Sequence, residues 1–119
     1  MKVLLIDDSR TMRAIQRKIL QSLGYEEIAE ANDGVEGLSQ VVAEEPELIL
    51  VDWNMPNMDG LTFVRKLREA RKDIPIIMVT TEAERSANRI VRYGTIANAS
   101  SRISLWIRQM REQLKWRRK

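Results

Sequence analysis

Apolar residues recur along this chain with two periods. "KVLLID" at 2–7 is a short, nearly unbroken apolar run and predicts a buried parallel strand. In "SRTMRAIQRKILQSLGY", Met12, Ile15, Ile19, Leu20 and Leu23 fall on one helical face, and Gly24 supplies a C-terminal stop. "EIAEA" at 27–31 predicts a second strand. "NDGVEGLSQVVAEEP" predicts a turn and a helix with Val35, Leu38, Val41 and Val42 inward, closed by Pro46. "ELILVD" predicts a third strand. Gly60 opens a helix through "LTFVRKLREAR", with Leu61, Val64 and Leu67 inward, and Pro75 precedes a fourth strand, "IIMVT" at 76–80. "EAERSANRIVRYG" reads as a weakly patterned helix ending at Gly94.

Strands alternating with helices predict an α/β fold, a doubly wound parallel sheet with helices on both faces. The pattern weakens after Gly94. "TIANASSRIS" makes a poor fifth strand, because its apolar residues are small or scattered. A doubtful fifth strand would leave strand four as an exposed edge. The last segment is helical again. Ser101 suits an N-cap, and Ile103, Trp106, Ile107, Met110 and Leu114 form a stripe. An open edge together with Trp106 and Trp116 predicts self-association, with the C-terminal helix displaced or exchanged between two copies.

Length and composition narrow the function. At 119 residues the chain suits one domain, 1–119. Cysteine and histidine are both absent, which removes disulfides, thiol catalysis, serine–histidine hydrolysis and histidine-ligated metals. No apolar run has the length of a membrane span, and a cytoplasmic location is expected. The net charge of +3 is uneven: residues 102–119 hold seven basic groups and one acid, while residues 1–101 carry a net −3. A basic tail with Trp116 admits nucleic-acid binding, but no recognition module accompanies it, and a solvated basic face is the commoner outcome.

The chemistry gathers at the strand ends. Ligands of doubly wound sheets bind beyond the carboxyl ends of the strands. Asp7 and Asp8 end strand one, Asp52 ends strand three, and Thr80 and Thr81 end strand four. Strands one and three are neighbours in the common five-strand order, so three carboxylates would crowd one site. Without a counter-charge they repel and drift toward neutrality. Mg²⁺, a hard cation taking oxygen ligands, relieves that crowding and serves phosphate chemistry. A carboxylate beside it can attack a phosphoryl group and form an aspartyl-phosphate. The bland alternatives are that each Asp caps a helix or turn, and that "MPNMDG" is only a turn. The coincidence of acids after two strands with a hydroxyl after a third outweighs them. An aspartate-nucleophile phosphatase would place a second acid two residues after Asp52, but position 54 is Asn.

"VLLIDDSRTMRAI", "ANDGVEGL", "LILVDWNMPNMDGLTFVRKLR" and "IPIIMVTTEAE" closely resemble the receiver domains of bacterial two-component response regulators, the single-domain chemotaxis regulator being the nearest type. The likeness covers residues 1 to about 85. It implies a flavodoxin-like fold and a signalling role, not metabolic catalysis. It also implies Asp52 as phosphoacceptor and Mg²⁺ held by Asp7, Asp8, Asp52 and the backbone carbonyl of Asn54. Thr80 would be the switch hydroxyl. The phosphoryl donor would be a phosphohistidine on a sensor histidine kinase, and the switched surface would meet a downstream protein.

The C-terminal part departs from that family. Receivers end strand five with Lys-Pro, the lysine bonding the phosphoryl group, and an aromatic residue before it reports the switched state. "SSRIS" stands there, which brings Arg102 near the lysine position as a substitute phosphate contact, and no aromatic residue fills the switch position. Were Ser100, Ser101 and Arg102 encoded TCA-AGC-CGN, a neighbouring frame would read an apolar residue followed by Lys-Pro. The alternative to a working receiver is thus a phosphorylation- or signalling-defective variant, frameshifted, altered or diverged after about residue 85.

Overall fold

The computed structural model describes residues 2–53, 55–70, 74–80 and 94–98, the last five and residues 79–80 by backbone alone. The elements run β1 (Lys2–Ile6), α1 (Arg10–Ser22), β2 (Glu27–Ala31), α2 (Gly34–Glu44), β3 (Leu48–Asp52), α3 (Gly60–Ala70), β4 (Ile76–Thr80) and β5 (Gly94–Asn98). The five strands form one sheet in the order β2-β1-β3-β4-β5, every neighbouring pair parallel. This is the flavodoxin-like α/β arrangement.

Because side chains alternate along a strand, each buried strand feeds two cores. Leu4, Ile6, Ile49, Val51, Ile76 and Met78 face α2 and α3 and pack with Val41, Phe63, Val64 and Leu67. Val3, Leu5, Leu48, Leu50 and Ile77 form the opposite cluster with Leu20 and Tyr25. Both faces of β1 and β3 are dry, which is why their sequences read as unbroken apolar runs. Phe63 is fully buried, and burial of such a ring contributes about 2–3 kcal/mol.

Three expectations need correction. The fifth strand forms: Gly94–Asn98 pairs with all five residues of β4, from Ile76↔Gly94 to Thr80↔Asn98. Backbone hydrogen bonding can hold a ladder whose side-chain pattern is weak. So β4 is not an edge, and that argument for self-association through the C-terminal segment falls. Gly94, expected as the last residue of a helix, is the first residue of β5.

The helix faces also shift. In α1 the buried residues are Arg13, Gln16 and Leu20, while Ile15 is exposed. In α2 they are Gly34, Gly37 and Val41, while Val35 and Val42 face water. Phe63 joins Val64 and Leu67 as the buried stripe of α3, with Leu61 only half-buried. The helix expected over "EAERSANRIVRYG" and the C-terminal helix with Trp106 and Trp116 lie outside the described residues, as do Asn54, Thr81 and Arg102.

Candidate functional site

The register of the sheet brings the acids together. Ile6 lies beside Val51 in the β1–β3 ladder, so one step further along each chain come Asp7 and Asp52. Asp8 follows at the turn into α1. One oxygen from each of Asp7, Asp8 and Asp52 lies within 4.8 Å of the others. Asp7 is 4% exposed, Asp52 is half-buried and Asp8 is exposed.

Asp7 is the strained member. Burial pushes its carboxyl above the ordinary aspartate range and the Asp8 carboxylate adds to the shift, against the opposing hydrogen bond from the Ser9 amide at 2.8 Å. A buried acid facing two others is stable when protonated or when a cation stands among them. Three hard, anionic oxygens converging on one point, one of them half-open and one exposed to solvent, form a donor set that suits Mg²⁺.

The loop after β3 is shaped to serve Asp52. Gly60 donates its amide to the Trp53 carbonyl at 3.0 Å. A Cβ on Gly60 would collide with the Asp52 carbonyl oxygen and crowd Met78. Only glycine lets α3 start this close to the β3 tip. Asp33 caps α2 by accepting from the Glu36 amide at 2.8 Å, and its other oxygen accepts from the Asn57 side chain at 3.1 Å. These bonds, the Glu36 amide first, hold the Asp33 carboxyl below the ordinary range. Asn57 itself sits at φ 68, a left-handed position that asparagine tolerates. Trp53 is half-buried and packs against the α2–α3 core.

In the β3–β4 ladder Asp52 pairs with Val79, which sets Thr80 one residue further along at the same end of the sheet. Of the expected site residues, Asp7, Asp8 and Asp52 converge, Thr80 lies at the adjacent strand end, and Asn54 and Arg102 fall outside the described residues. The sequence reading placed Gly60 at a helix start without its contact to Asp52, and it missed Asp33, Asn57 and Arg13. A four-residue spacing of Arg13 and Arg17 beside an acidic strand was the available signal for the last. A groove of about 440 Å³ is lined by Arg10, Arg13, Ala14, Arg17 and Glu30, and it includes none of the three aspartates.

Comparison with known proteins settles the family. Residues 3–98 match the family described as "Response regulator receiver domain". This chain belongs to the response regulator receiver domain family. The receiver is 49% identical over 85 residues to "Chemotaxis protein CheY1" of Helicobacter pylori, covering 69% of this chain and 68% of that protein. It is 47% identical over 85 residues to "Chemotaxis protein CheY homolog" of Campylobacter jejuni, covering 69% and 65%. Among solved structures, Vibrio cholerae chemotaxis protein CheY4 superposes with a TM-score of 0.77 at 30% identity, over 94% of this chain and 96% of that one. The REC domain of AraT, a response regulator from Geobacillus stearothermophilus, gives 0.79 at 27%, over 99% and 98%. The chain is therefore a phosphoryl-accepting signalling domain, which fits a switch rather than a metabolic enzyme. The family match runs on through the fifth strand to residue 98, and neither the defective-variant nor the nucleic-acid reading is favoured by it. No helix among the described residues is long and apolar enough to cross a membrane.

Proposed function

We propose that Asp52 is the phosphoacceptor, that Asp7, Asp8, Asp52 and the backbone carbonyl of Asn54 hold Mg²⁺, and that Thr80 provides the switch hydroxyl. The observation that carries this reading is the approach of three carboxylates to within 4.8 Å at the sheet's carboxyl edge. The donor is a phosphohistidine on a sensor histidine kinase; this chain, with no histidine, cannot itself be that donor. An Asp52 oxygen attacks phosphorus, the phosphorus–nitrogen bond breaks, and its electron pair returns to the imidazole ring, which takes up a proton. Mg²⁺, when bound, offsets charge on the transferring oxygens. Asp7 and Asp8 hold the cation side of the site, and the glycine-tight start of α3 keeps the Asp52 backbone in place. The added charge draws Thr80 inward and reshapes a surface read by a downstream protein. Arg102 is the candidate for the phosphate contact that lysine makes elsewhere in the family. The same reading takes residues 1–119 as one receiver domain in the cytoplasm.

Intact mass spectrometry after incubation with Mg²⁺ and acetyl phosphate tests it. Wild type is expected to gain one phosphoryl group, and Asp52→Asn or chelated wild type none. An equal gain in Asp52→Asn, or no gain in wild type, would overturn the assignment.

A further inference from the structure

We propose that Arg13 is a positioning residue for the acid cluster: it fixes the Asp7–Asp8 peptide so that both carboxylates converge with Asp52. The inference rests on the cation site proposed above. Arg13 occupies a core-facing position of α1 and is 8% exposed. A guanidinium there is costly unless its donors are satisfied. Nη1 donates to the Asp7 backbone carbonyl. Nε donates to Glu30 Oε1 at 2.9 Å. Glu30 in turn is gripped by Arg17, whose Nη2 and Nε donate to Oε2 at 2.7 and 3.1 Å. Arg17 also reaches the Ile28 carbonyl at 3.3 Å, which ties the set to β2.

The Asp7 carbonyl and the Asp8 amide belong to one planar peptide. Turning that plane would swing the Asp8 carboxylate away from Asp7 and Asp52. The preceding peptide is pinned as well, because the Asp7 amide donates to the Ala31 carbonyl at 3.1 Å. Arg13 thus pins the peptide that leads from β1 toward α1. Its planar fork meets a carbonyl and a carboxylate at once, which a lysine ammonium cannot reproduce with the same geometry.

The test is cation affinity of the full chain, read from the electron paramagnetic resonance signal of free Mn²⁺ and by Mg²⁺ competition. It is run where circular dichroism shows each variant folded. Arg13→Met is expected to weaken Mn²⁺ binding by about 10-fold or more, the scale of losing a group that orients a ligand. Arg13→Lys should recover part of the loss. Lys2→Met, which removes an ion pair with Glu44 at 2.9 Å at the opposite end of β1 from the acids, should leave affinity unchanged. A folded Arg13→Met with wild-type affinity would overturn the proposal. Should Arg13→Met fail to fold, Glu30→Gln decides in the same assay: weakened binding supports the role and unchanged binding overturns it. A wild type that binds no Mn²⁺ would instead sink the cation site itself, and this inference with it.

Discussion

The acid cluster and the arginine brace meet at Asp7, yet their charges are arranged in opposite ways. Asp7, Asp8 and Asp52 bring three like charges within 4.8 Å. One residue pair away, Glu30 sits between Arg13 and Arg17 with ion pairs of 2.9 and 2.7 Å. Burial raises the Asp7 carboxyl, with Asp8 adding to the rise. Burial would raise Glu30 too, but the hydrogen bonds from Arg17 and Arg13 outweigh it and the net shift is downward. In the brace opposite charges alternate, Arg13–Glu30–Arg17, so each ion pair is attractive without any added ion. The acid cluster gathers like charges and gains from a cation. The two regions complement each other: a rigid surround orients the ligands, and a centre of gathered acids favours a cation.

The largest expected effect is one that spares neither region. Phe63→Ala empties a fully buried site in the core beneath β1 and β3. It should cost about 3–5 kcal/mol in chemical denaturation. Glu30→Ala breaks the brace alone. It leaves Arg13 buried beside the Asp7 carbonyl with one partner lost. A fully buried pair would cost roughly 3–5 kcal/mol, but Glu30 is a third exposed, so about 2 kcal/mol is expected. Asp7→Asn should act in the opposite direction. In chelator the neutral amide removes a buried like-charge contact and still accepts from Ser9, so stability should rise by about 1 kcal/mol. In Mg²⁺ that gain should vanish, because the variant forgoes stabilisation by the cation. A destabilised Asp7→Asn in chelator would mean that the acid is not strained.

The smallest effect is on pH dependence, and its sign separates the two regions. Glu30 has a depressed folded value, so its contribution is present above the ordinary glutamate range and is lost as pH falls through the folded value. Asp7 has a raised folded value, so the native state takes up its proton first and acidification favours folding at that position. Without divalent cation, Glu30→Gln should flatten the loss of stability between about pH 5 and pH 3, and Asp7→Asn should steepen it near its upper end. Urea midpoints measured across that range check both.

Much of the architecture was legible because it depends on local pattern. The strands at 27–31 and 76–80 emerged with the expected ends; Ile76–Met78 are apolar because they are buried, whereas "EIAEA" is a partly exposed edge strand that was legible from its place between two helices. The acids were legible because each follows such a run. The helix faces were less so. Periodicity placed Ile15 inward, but Arg13 and Gln16 took the buried positions. A residue scale cannot foresee that Glu30 and the Asp7 carbonyl would satisfy a guanidinium. The fifth strand was underestimated for a related reason: "GTIAN" is a weak strand by its side chains, while pairing with β4 is a backbone property.

By itself, then, the amino-acid order determined the alternation of strands and helices and the placing of Asp7, Asp8, Asp52 and Thr80 at strand ends, because burial and turn chemistry act over a few residues. Tertiary structure alone decided how near those acids come, that Gly60 must pack against the Asp52 backbone, and that Arg13 turns inward to hold the Asp7 peptide. Such contacts join residues distant in the chain, and their energy depends on distance and desolvation, which no local pattern records.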